Sequence, residues 1–198
     1  MELNSPPGAT PIDIDDLEDL IPRLTLREEL NEFEERNIYI AYIAARKSRK
    51  LKHNLLNIDS LTWLHHQMFN KTWKWAGKFR TRETNIGVPA HQIRDQIAIL
   101  CADAKYWLEN STYSLTEYAV RIHHKLAQIH PFVNGNGRHA RLIADLIMLY
   151  NKQPELNWGG KGQMETESLI RERYLKALKK ADGGKYGDLI KFALGKIK

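Results

Sequence analysis

A twelve-residue run at 130–141, HPFVNGNGRHAR, constrains the fold of this chain more than any other segment. The residues on either side have the apolar spacing of helices, so the run connects two helices. Pro131 disfavours helical backbone at the residue before it, which predicts that the first helix stops there. Gly135 and Gly137 permit a tight turn, after which a second helix is predicted at 138–150. The run therefore predicts a helix, a glycine turn and a helix.

The same run brings together groups that can bind and transfer phosphate. A glycine turn leading into a helix N-terminus presents backbone N–H groups and a positive dipole end to an anion. Arg138 and Arg141 are three positions apart and share one helical face, so both can reach one polyphosphate. His130 can accept a proton near neutral pH. Together these residues indicate group transfer from a nucleotide to a hydroxyl. The alternative, a plain turn with a packed histidine, needs neither the arginines nor the second glycine.

Length and composition indicate one soluble domain. The 198 residues suffice for a single sizeable core, and 42% hydrophobic with 27% charged residues is ordinary for a globular chain. No apolar run approaches membrane-spanning length, and the segment at 1–19 is acidic and contains proline, which predicts a cytoplasmic protein with no membrane contact. Cys101 is the only cysteine, so an intrachain disulfide is excluded and a buried, inert thiol is expected.

The formal net charge of +6 is unevenly distributed along the chain. An acidic start is followed by a basic cluster made of Arg46, Lys47, Arg49, Lys50 and Lys52. Such a cluster could contact nucleic-acid phosphates. It contains no interleaved aromatic residue, however, and it coincides with a predicted helix end, where the helix dipole favours cations. We therefore interpret it as a solvated helix end rather than as a direct nucleic-acid contact.

Apolar residues recur at spacings of three and four along most of the chain, which predicts an all-α fold. The expected helix caps are Thr25 with Glu28, Asp59 or Ser60, and Ser114 with Glu117. The last two helices are predicted at 167–182 and 188–196. Residues 77–91 depart from this pattern, because 79–82 alternate and are followed by NIGVP. They favour a short β-hairpin, with an ordered interhelical loop as the alternative.

The run at 130–141 resembles the signature of the Fic family, HxFx(D/E)GNGRxxR. The matching residues are His130, Phe132, Gly135, Asn136, Gly137, Arg138 and Arg141. The resemblance covers roughly residues 55–195, and it implies a Fic-type helical bundle with a short β-hairpin flap over the active site. Residues 55–198 would be the Fic domain, and residues 1–54 an N-terminal tail and helical extension.

This resemblance implies an activity, that of a nucleotidyltransferase. Fic proteins of this kind transfer AMP from ATP to a Ser, Thr or Tyr hydroxyl of a target protein (AMPylation), with Mg²⁺ bridging the nucleotide phosphates. The sequences WAGKFRT at 75–81 and HARLIAD at 139–145 resemble a bacterial branch called mobile mystery protein B. That branch suggests a toxin–antitoxin or mobile-element system.

The resemblance also implies roles for individual residues. His130 would take the proton of the target hydroxyl, Arg138 would neutralise charge on the departing pyrophosphate, and Arg141 would reach the γ-phosphate. The nucleotide-binding residues would be Asn134, Gly135, Asn136, Gly137, Arg138 and Arg141. The flap would be residues 79–88, in which Ile86, Gly87 and Val88 would dock the target backbone by strand-like pairing. Tyr174 would lie in a C-terminal helix that lines the nucleobase pocket.

One position departs from the family pattern. Asn134 stands where an Asp or Glu normally binds Mg²⁺. A carboxamide oxygen is a hard ligand but brings no negative charge, so weaker metal binding is expected. Two hypotheses follow: an enzyme with a high metal requirement, and a nucleotide-binding protein with little turnover. Transfer of another nucleotide-derived group is a further alternative.

Many Fic proteins carry an inhibitory helix with the pattern (S/T)xxxE(G/N), which no segment here fits. Glu29 has the correct spacing from Thr25 but precedes Leu30, and Glu35 lacks the Ser or Thr. We interpret both glutamates as surface residues of a solvated helix. Inhibition by a separate antitoxin-like or DNA-binding partner protein is the alternative.

Overall fold

The computed structural model describes residues 18–24, 26–160 and 168–196. The regular structure of these residues is helical. The helices are α1 (Arg27–Lys47), α2 (Arg49–His53), α3 (Ile58–Phe69), α4 (Ile93–Glu109), α5 (Leu115–Ile129), α6 (Asn136–Tyr150), α7 (Ser168–Asp182) and α8 (Gly187–Ala193), with a 3₁₀ turn at Ala90–Gln92. The predicted all-α fold is confirmed, and α7 and α8 lie where the last two helices were predicted.

The helices α5 and α6 form the centre of the fold. They pack along each other, α1 and α3 also contact α6, and α4 and α8 also contact α5. Ala140, Ile143, Ala144 and Leu146 of α6 are fully buried, so this helix is enclosed on several sides. The turn between α5 and α6 is the predicted glycine turn, and the central packing therefore fixes its position.

Side chains cap the starts of α2, α3 and α5, and the Ser48 hydroxyl caps α2 by accepting a hydrogen bond from the Leu51 N–H at 3.2 Å. The Ser114 hydroxyl accepts a hydrogen bond from the Glu117 N–H at 3.3 Å, so Ser114 is confirmed as the cap of α5, while the Glu117 carboxylate accepts from Arg121 at 3.0 Å. For α3 the cap is Asn57, which accepts from the Ser60 N–H at 2.8 Å. The prediction that Asp59 or Ser60 caps this helix was wrong, because the helix already begins at Ile58.

The start of α1 also differs from its prediction. Thr25 lies outside the described residues, and α1 begins at Arg27. The Leu26 N–H donates to the Glu29 carboxylate at 3.1 Å, so a glutamate side chain takes one of the backbone donors that a helix start leaves open.

One stripe of α1 faces the core. The buried residues are Leu30, Glu34, Asn37, Ala41 and Ala45, at spacings of three and four. The two polar members have partners: the Asn37 amide donates to the Thr72 hydroxyl at 3.1 Å, and Glu34 is described below. The leucine and the two alanines belong to the same apolar cluster as α5 and α6.

Residues 77–91 form an ordered loop up to the 3₁₀ turn, and the predicted β-hairpin was wrong. Among the described residues, this segment takes part in β-pairing only as an isolated bridge between Phe79 and Phe132. The Arg80 N–H donates to the Pro131 carbonyl at 2.9 Å, and the Val88 N–H donates to the Ile129 carbonyl at 3.2 Å. Both arms of the segment therefore pair with the end of α5 and its following turn rather than with each other.

Two further expectations concern the surface and the thiol. None of the described helices is long and apolar enough to cross a bilayer. Cys101 is half-buried in α4, and burial raises the pKa of its thiol to about 11. The thiol therefore stays protonated near neutral pH, as expected for an inert cysteine.

Besides His130, four histidines are buried: His65, His123, His124 and His139. Burial lowers the pKa of each imidazole, because the charged form loses its hydration. His139 is 1% exposed, and its Nε2–H donates to the Leu61 carbonyl at 3.0 Å. Burial lowers its pKa to about 4. These side chains serve as neutral packing and hydrogen-bonding groups.

We predict that His139→Gln weakens the acid sensitivity of the fold. With a pKa of about 4 in the folded chain and about 6.5 in the unfolded chain, the unfolded state binds more protons between these values. Stability is therefore complete above pH 6.5 and declines as pH falls towards 4. Glutamine can still donate to the Leu61 carbonyl but does not titrate.

The measurement is the free energy of unfolding in urea at pH 7 and pH 5. The decrease between the two should be smaller in His139→Gln than in the unchanged chain by about 2 kcal/mol. His91→Gln, at an exposed position, is the control and should leave the decrease unaltered. Equal decreases in all three proteins would contradict the prediction.

Candidate active site

His130 sits at the C-terminal end of α5, where the helix stops. Its φ of 53° and ψ of 60° lie in the left-handed region, and its N–H still donates to the Leu126 carbonyl at 3.1 Å. This conformation is uncommon for a residue with a side chain and is held only where surrounding contacts require it. The helix end, followed by Pro131, therefore turns the chain sharply at the candidate base.

The surroundings of His130 favour the neutral form of its imidazole. It is 7% exposed, and burial, together with the nearby positive charge of Arg80, lowers its pKa to about 4. Its Nδ1 lies 3.4 Å from the Ala127 carbonyl, which can only accept a hydrogen bond. The proton therefore belongs on Nδ1 and the lone pair on Nε2, which is the form that can accept a proton at pH 7.

The turn between the two central helices requires glycine at position 135. Gly135 has φ 77°, and a Cβ added there would collide with the Phe69 ring. The neighbouring Asn136 is 3% exposed, and its side chain accepts from the Phe132 N–H at 2.9 Å and donates to the Phe132 carbonyl at 2.8 Å. Its amide thus closes the loop at 132–136, and its backbone N–H lies at the start of α6.

The buried residue His65 packs against this loop. No local sequence pattern assigns His65 to the site. His65 lies on α3 and stacks on the Phe132 ring with centroids 3.6 Å apart and 13° between planes. Its Nδ1 accepts from the Gly77 N–H at 3.0 Å, so its proton is on Nε2, which donates to the Asn134 carbonyl at 3.0 Å. His65 therefore links α3, the start of the flap segment and the glycine turn.

Asn134 is the candidate metal ligand. Its Oδ1 accepts from the Gly135 N–H at 2.6 Å. An amide oxygen has two lone pairs, so it can accept this bond and still ligate a cation. Among the described residues, no group of three or more His, Cys, Asp or Glu is placed to hold a metal ion. The donor set fits a Mg²⁺ ion that takes one neutral oxygen from the protein and its other ligands from phosphates and water.

The two arginines at the start of α6 contact different neighbours. The Nη1 of Arg138 lies 2.5 Å from the Glu34 carboxylate, and its guanidinium lies 5.0 Å from the Phe69 ring centroid. The Arg141 guanidinium lies 5.9 Å from the ring centroid of Tyr174 on α7. One turn of helix thus directs one positive charge towards α1 and the other towards α7.

Glu34 is a second site residue that the sequence alone did not reveal. It is 4% exposed, and its other carboxylate oxygen accepts from the Trp73 indole N–H at 2.6 Å. Glu29 and Glu35, the acidic residues considered from the sequence, are both exposed. The available signal was the position of Glu34 on the apolar stripe of α1, where a carboxylate needs a buried partner.

The α7 side of the site is organised around His123. Its Nε2 shares a 3.0 Å hydrogen bond with the Tyr174 hydroxyl, and the Trp158 ring lies 4.4 Å away between centroids. The Trp158 indole N–H donates to Asp145 at 3.0 Å. Burial raises the pKa of Asp145 to about 7. These contacts fix the Tyr174 ring beside Arg141.

The predicted docking residues of the flap lie next to His130. A Cβ added to Gly87 would lie 2.7 Å from the Cβ of His130, while Val88 pairs with Ile129 as described. Ile86 is half exposed, at 50%. The structure thus brings the flap, the histidine and the glycine turn together.

Comparison with known proteins gives one family. Residues 55–148 match the Fic/DOC family. A protein adenylyltransferase of Caenorhabditis briggsae is 34% identical over 107 residues, which cover 52% of this chain and 21% of that protein. A protein adenylyltransferase of Drosophila virilis is 30% identical over 127 residues, which cover 62% of this chain and 25% of that protein. The chain thus matches about a quarter or less of the length of these relatives.

Solved structures show the same fold. A Fic-domain signalling protein from Bacteroides thetaiotaomicron superposes with a TM-score of 0.64 at 17% identity, covering 89% of this chain and 67% of that one. A fragment of Fic-1 from Caenorhabditis elegans superposes with a TM-score of 0.62 at 25% identity, covering 91% of this chain and 52% of that one. The helical arrangement is therefore that of Fic domains.

We predict that Glu34→Gln strengthens ATP binding while weakening the fold. Glutamine still offers Trp73 an oxygen, but it removes the negative charge that would compete with a nucleotide phosphate for Arg138. We expect the Kd for ATP to fall on the order of tenfold. The melting temperature should fall, because a partly buried guanidinium loses its counter-charge.

Isothermal titration calorimetry and thermal unfolding give the two readouts. Glu35→Gln changes the adjacent, exposed carboxylate and should alter neither quantity. If Glu34→Gln binds ATP no more tightly than the unchanged chain, Glu34 does not compete for Arg138.

Proposed function

We propose that the chain is a protein adenylyltransferase, a proposal supported by the match of residues 55–148 to the Fic/DOC family. It transfers AMP from ATP to a Ser, Thr or Tyr hydroxyl of a target protein. The observation that carries this proposal is the buried, neutral His130 beside a glycine turn that opens α6. A base, an anion-binding helix start and two arginines are the components that transfer at phosphorus requires.

In the proposed reaction the target hydroxyl oxygen attacks the α-phosphorus of ATP. The bond from that phosphorus to the oxygen bridging to the β-phosphate breaks, and pyrophosphate leaves. The hydroxyl proton passes to Nε2 of His130. The pKa of about 4 keeps His130 unprotonated at neutral pH and therefore ready to accept. The flap holds the hydroxyl in line, and positioning supplies much of the acceleration.

The phosphates bind at the start of α6. Backbone N–H groups of the turn from Gly135 to Arg138 would face the α- and β-phosphates, since the first turn of a helix directs its N–H groups towards the helix start. Arg138 neutralises charge on the pyrophosphate once its guanidinium releases the Glu34 carboxylate or binds both groups together. Arg141, held beside Tyr174, reaches the γ-phosphate, and α7 lines the nucleobase pocket.

Asn134 would hold the Mg²⁺ ion that accompanies ATP. The metal, when bound, neutralises charge on the nucleotide phosphates. Asn134 contributes an uncharged oxygen, so its hold on the ion is weaker than that of a carboxylate. Affinity for the metal would therefore come mainly from the nucleotide.

Residues 86–88 of the flap would align the target. Gly87 is in contact distance of His130, and Ile86 is half exposed, which supports a docking edge beside the base. A target segment that lies along this edge by backbone pairing would present its hydroxyl to His130.

The same proposal extends to the finer assignments. The sequences at 75–81 and 139–145 support the mobile mystery protein B branch, with residues 1–54 as a tail and helical extension before the Fic domain. We place the chain in the cytoplasm and in a toxin–antitoxin type of system, where an antitoxin-like or DNA-binding partner protein would restrain it.

A second function has specific support. Asn134 removes the metal-binding charge, and the Glu34–Arg138 pair occupies one phosphate-binding arginine. Both features fit a nucleotide-binding protein with little turnover. A measurement of AMP transfer, rather than of ATP binding, therefore distinguishes the two functions.

We predict that His130→Ala lowers AMP transfer at least about 100-fold without weakening ATP binding. The imidazole is needed to take the proton, whereas the phosphates bind to α6. Intact-mass spectrometry after incubation with ATP and Mg²⁺ detects an AMP-sized gain, and calorimetry gives the Kd for ATP.

His53→Ala, at an exposed position, is the matched control and should behave as the unchanged chain does. A phosphate-sized gain would replace adenylyl transfer with phosphoryl transfer. ATP binding without any gain in the unchanged chain would favour the second function, and loss of ATP binding in His130→Ala would give His130 a structural role.

We also predict that Asn134→Asp lowers the Mg²⁺ concentration needed for half-maximal ATP binding. A carboxylate adds the missing charge to the metal site, and we expect a shift of about tenfold. A Mg²⁺ titration of ATP affinity measures the shift, with Asn134→Ala expected to move it in the opposite direction. Identical titrations of all three proteins would remove Asn134 from the metal site.

A further inference from the structure

Arg80 is a buried arginine in a segment with little regular structure. It is 3% exposed, although arginine side chains are almost never fully buried unless paired. A charge in such a position needs hydrogen-bond partners that offset its lost hydration. The Glu83 carboxylate is 3.9 Å away, and the Glu83 side chain is 69% exposed. The ion pair is therefore a minor part of what holds this guanidinium.

The guanidinium of Arg80 donates to three main-chain carbonyls. Its Nε donates to His130 at 2.8 Å, its Nη1 to Arg82 at 2.9 Å, and its Nη2 to Val88. Its backbone N–H donates to Pro131 at 2.9 Å. One side chain thus joins the candidate base to both arms of the flap.

The position of Gly87 is a second, independent observation that the flap, Arg80 and His130 meet here. A Cβ added there would lie 2.7 Å from Nη2 of Arg80 and 2.7 Å from the Cβ of His130. The φ of Gly87 is 111°, which residues with side chains rarely adopt. The flap backbone therefore passes so close to both residues that no side chain fits between them.

We propose that Arg80 is the positioning residue that sets the distance and register between His130 and the flap. The inference rests on the proposed adenylyl transfer and goes beyond it, because it says how two separate parts of the site are aligned. The Nε bond fixes the carbonyl of the left-handed His130, and hence the direction of its ring. The Nη bonds fix the arms of the flap around the docking residues 86–88. A target aligned on the flap is then aligned on the base.

The chemistry of arginine suits this role. A planar guanidinium offers donors in fixed directions, so it can bind three carbonyls that lie around its edge. A lysine ammonium is a point donor on a flexible stem and cannot bridge the same carbonyls at these distances. Arg80→Lys should therefore retain the charge but lose the alignment.

The test uses Arg80→Lys, Arg80→Ala and Gly87→Ala, with Lys78→Ala as the control. Lys78 is an exposed cation two residues away in the same segment. Hydrogen–deuterium exchange of peptides covering 82–90 reports on the flap without requiring activity, and peptides covering α5 and α6 report on the core. Calorimetry gives the Kd for ATP, and intact mass gives the rate of self-adenylylation.

We expect flap amides to exchange at least about tenfold faster in the three site variants, with α5 and α6 unchanged. Self-adenylylation should fall about tenfold or more while the Kd for ATP stays within about twofold. Low concentrations of guanidinium chloride, far below those that unfold the chain, should partly restore flap protection in Arg80→Ala, and Lys78→Ala should match the unchanged chain.

Two results would overturn the proposal. Unchanged flap exchange in both Arg80 variants would show that the guanidinium does not align the flap. Faster exchange throughout α5 and α6, with loss of ATP binding and no restoration by guanidinium, would show a general role in folding. If the unchanged chain transfers no AMP, the proposed function fails by itself, and flap exchange with its restoration by guanidinium still decides the role of Arg80.

Discussion

Burying the irregular loop between α5 and α6 is the constraint on which the site depends. The loop at 130–135 lies between two central helices, where its main-chain groups can pair neither with a helix nor fully with water. Side chains from distant segments provide the missing hydrogen bonds, because His65 bonds the carbonyl of Asn134 and Arg80 bonds that of His130. Asn136 closes the loop locally on Phe132. The groups that satisfy the backbone are therefore also the groups that shape the site.

The charges of the site follow from the same burial. A guanidinium near the core must have a partner, and Arg138 finds it in Glu34, a carboxylate that itself lies on the buried stripe of α1. The pair ties the N-terminal helix to the start of α6. Any anion that approaches Arg138 therefore meets an arginine with an existing partner, which links anion binding at α6 to the packing of α1.

Local pattern predicted much of the fold and the centre of the site, but it could not predict contacts between distant segments. The glycine turn, the Ser114 cap and the all-α fold depend on neighbouring residues and were found. His65, Arg80 and Glu34 contact positions that are 69, 50 and 104 residues away, and no local pattern identifies these partners. The hairpin prediction was wrong for the same reason. Alternation at 79–82 is typical of a strand with one solvated face, whereas Arg80 points inward to the loop.

The burial of His130 determines how much its proton transfer can contribute. A base whose conjugate acid has a pKa of about 4 is always ready to accept at neutral pH, but it attracts the hydroxyl proton only weakly. Once protonated, an imidazolium with so low a pKa would release its proton readily at neutral pH. In the proposed transfer His130 would therefore hold the proton only briefly, and the barrier at phosphorus would be lowered chiefly by alignment and by the charges around α6.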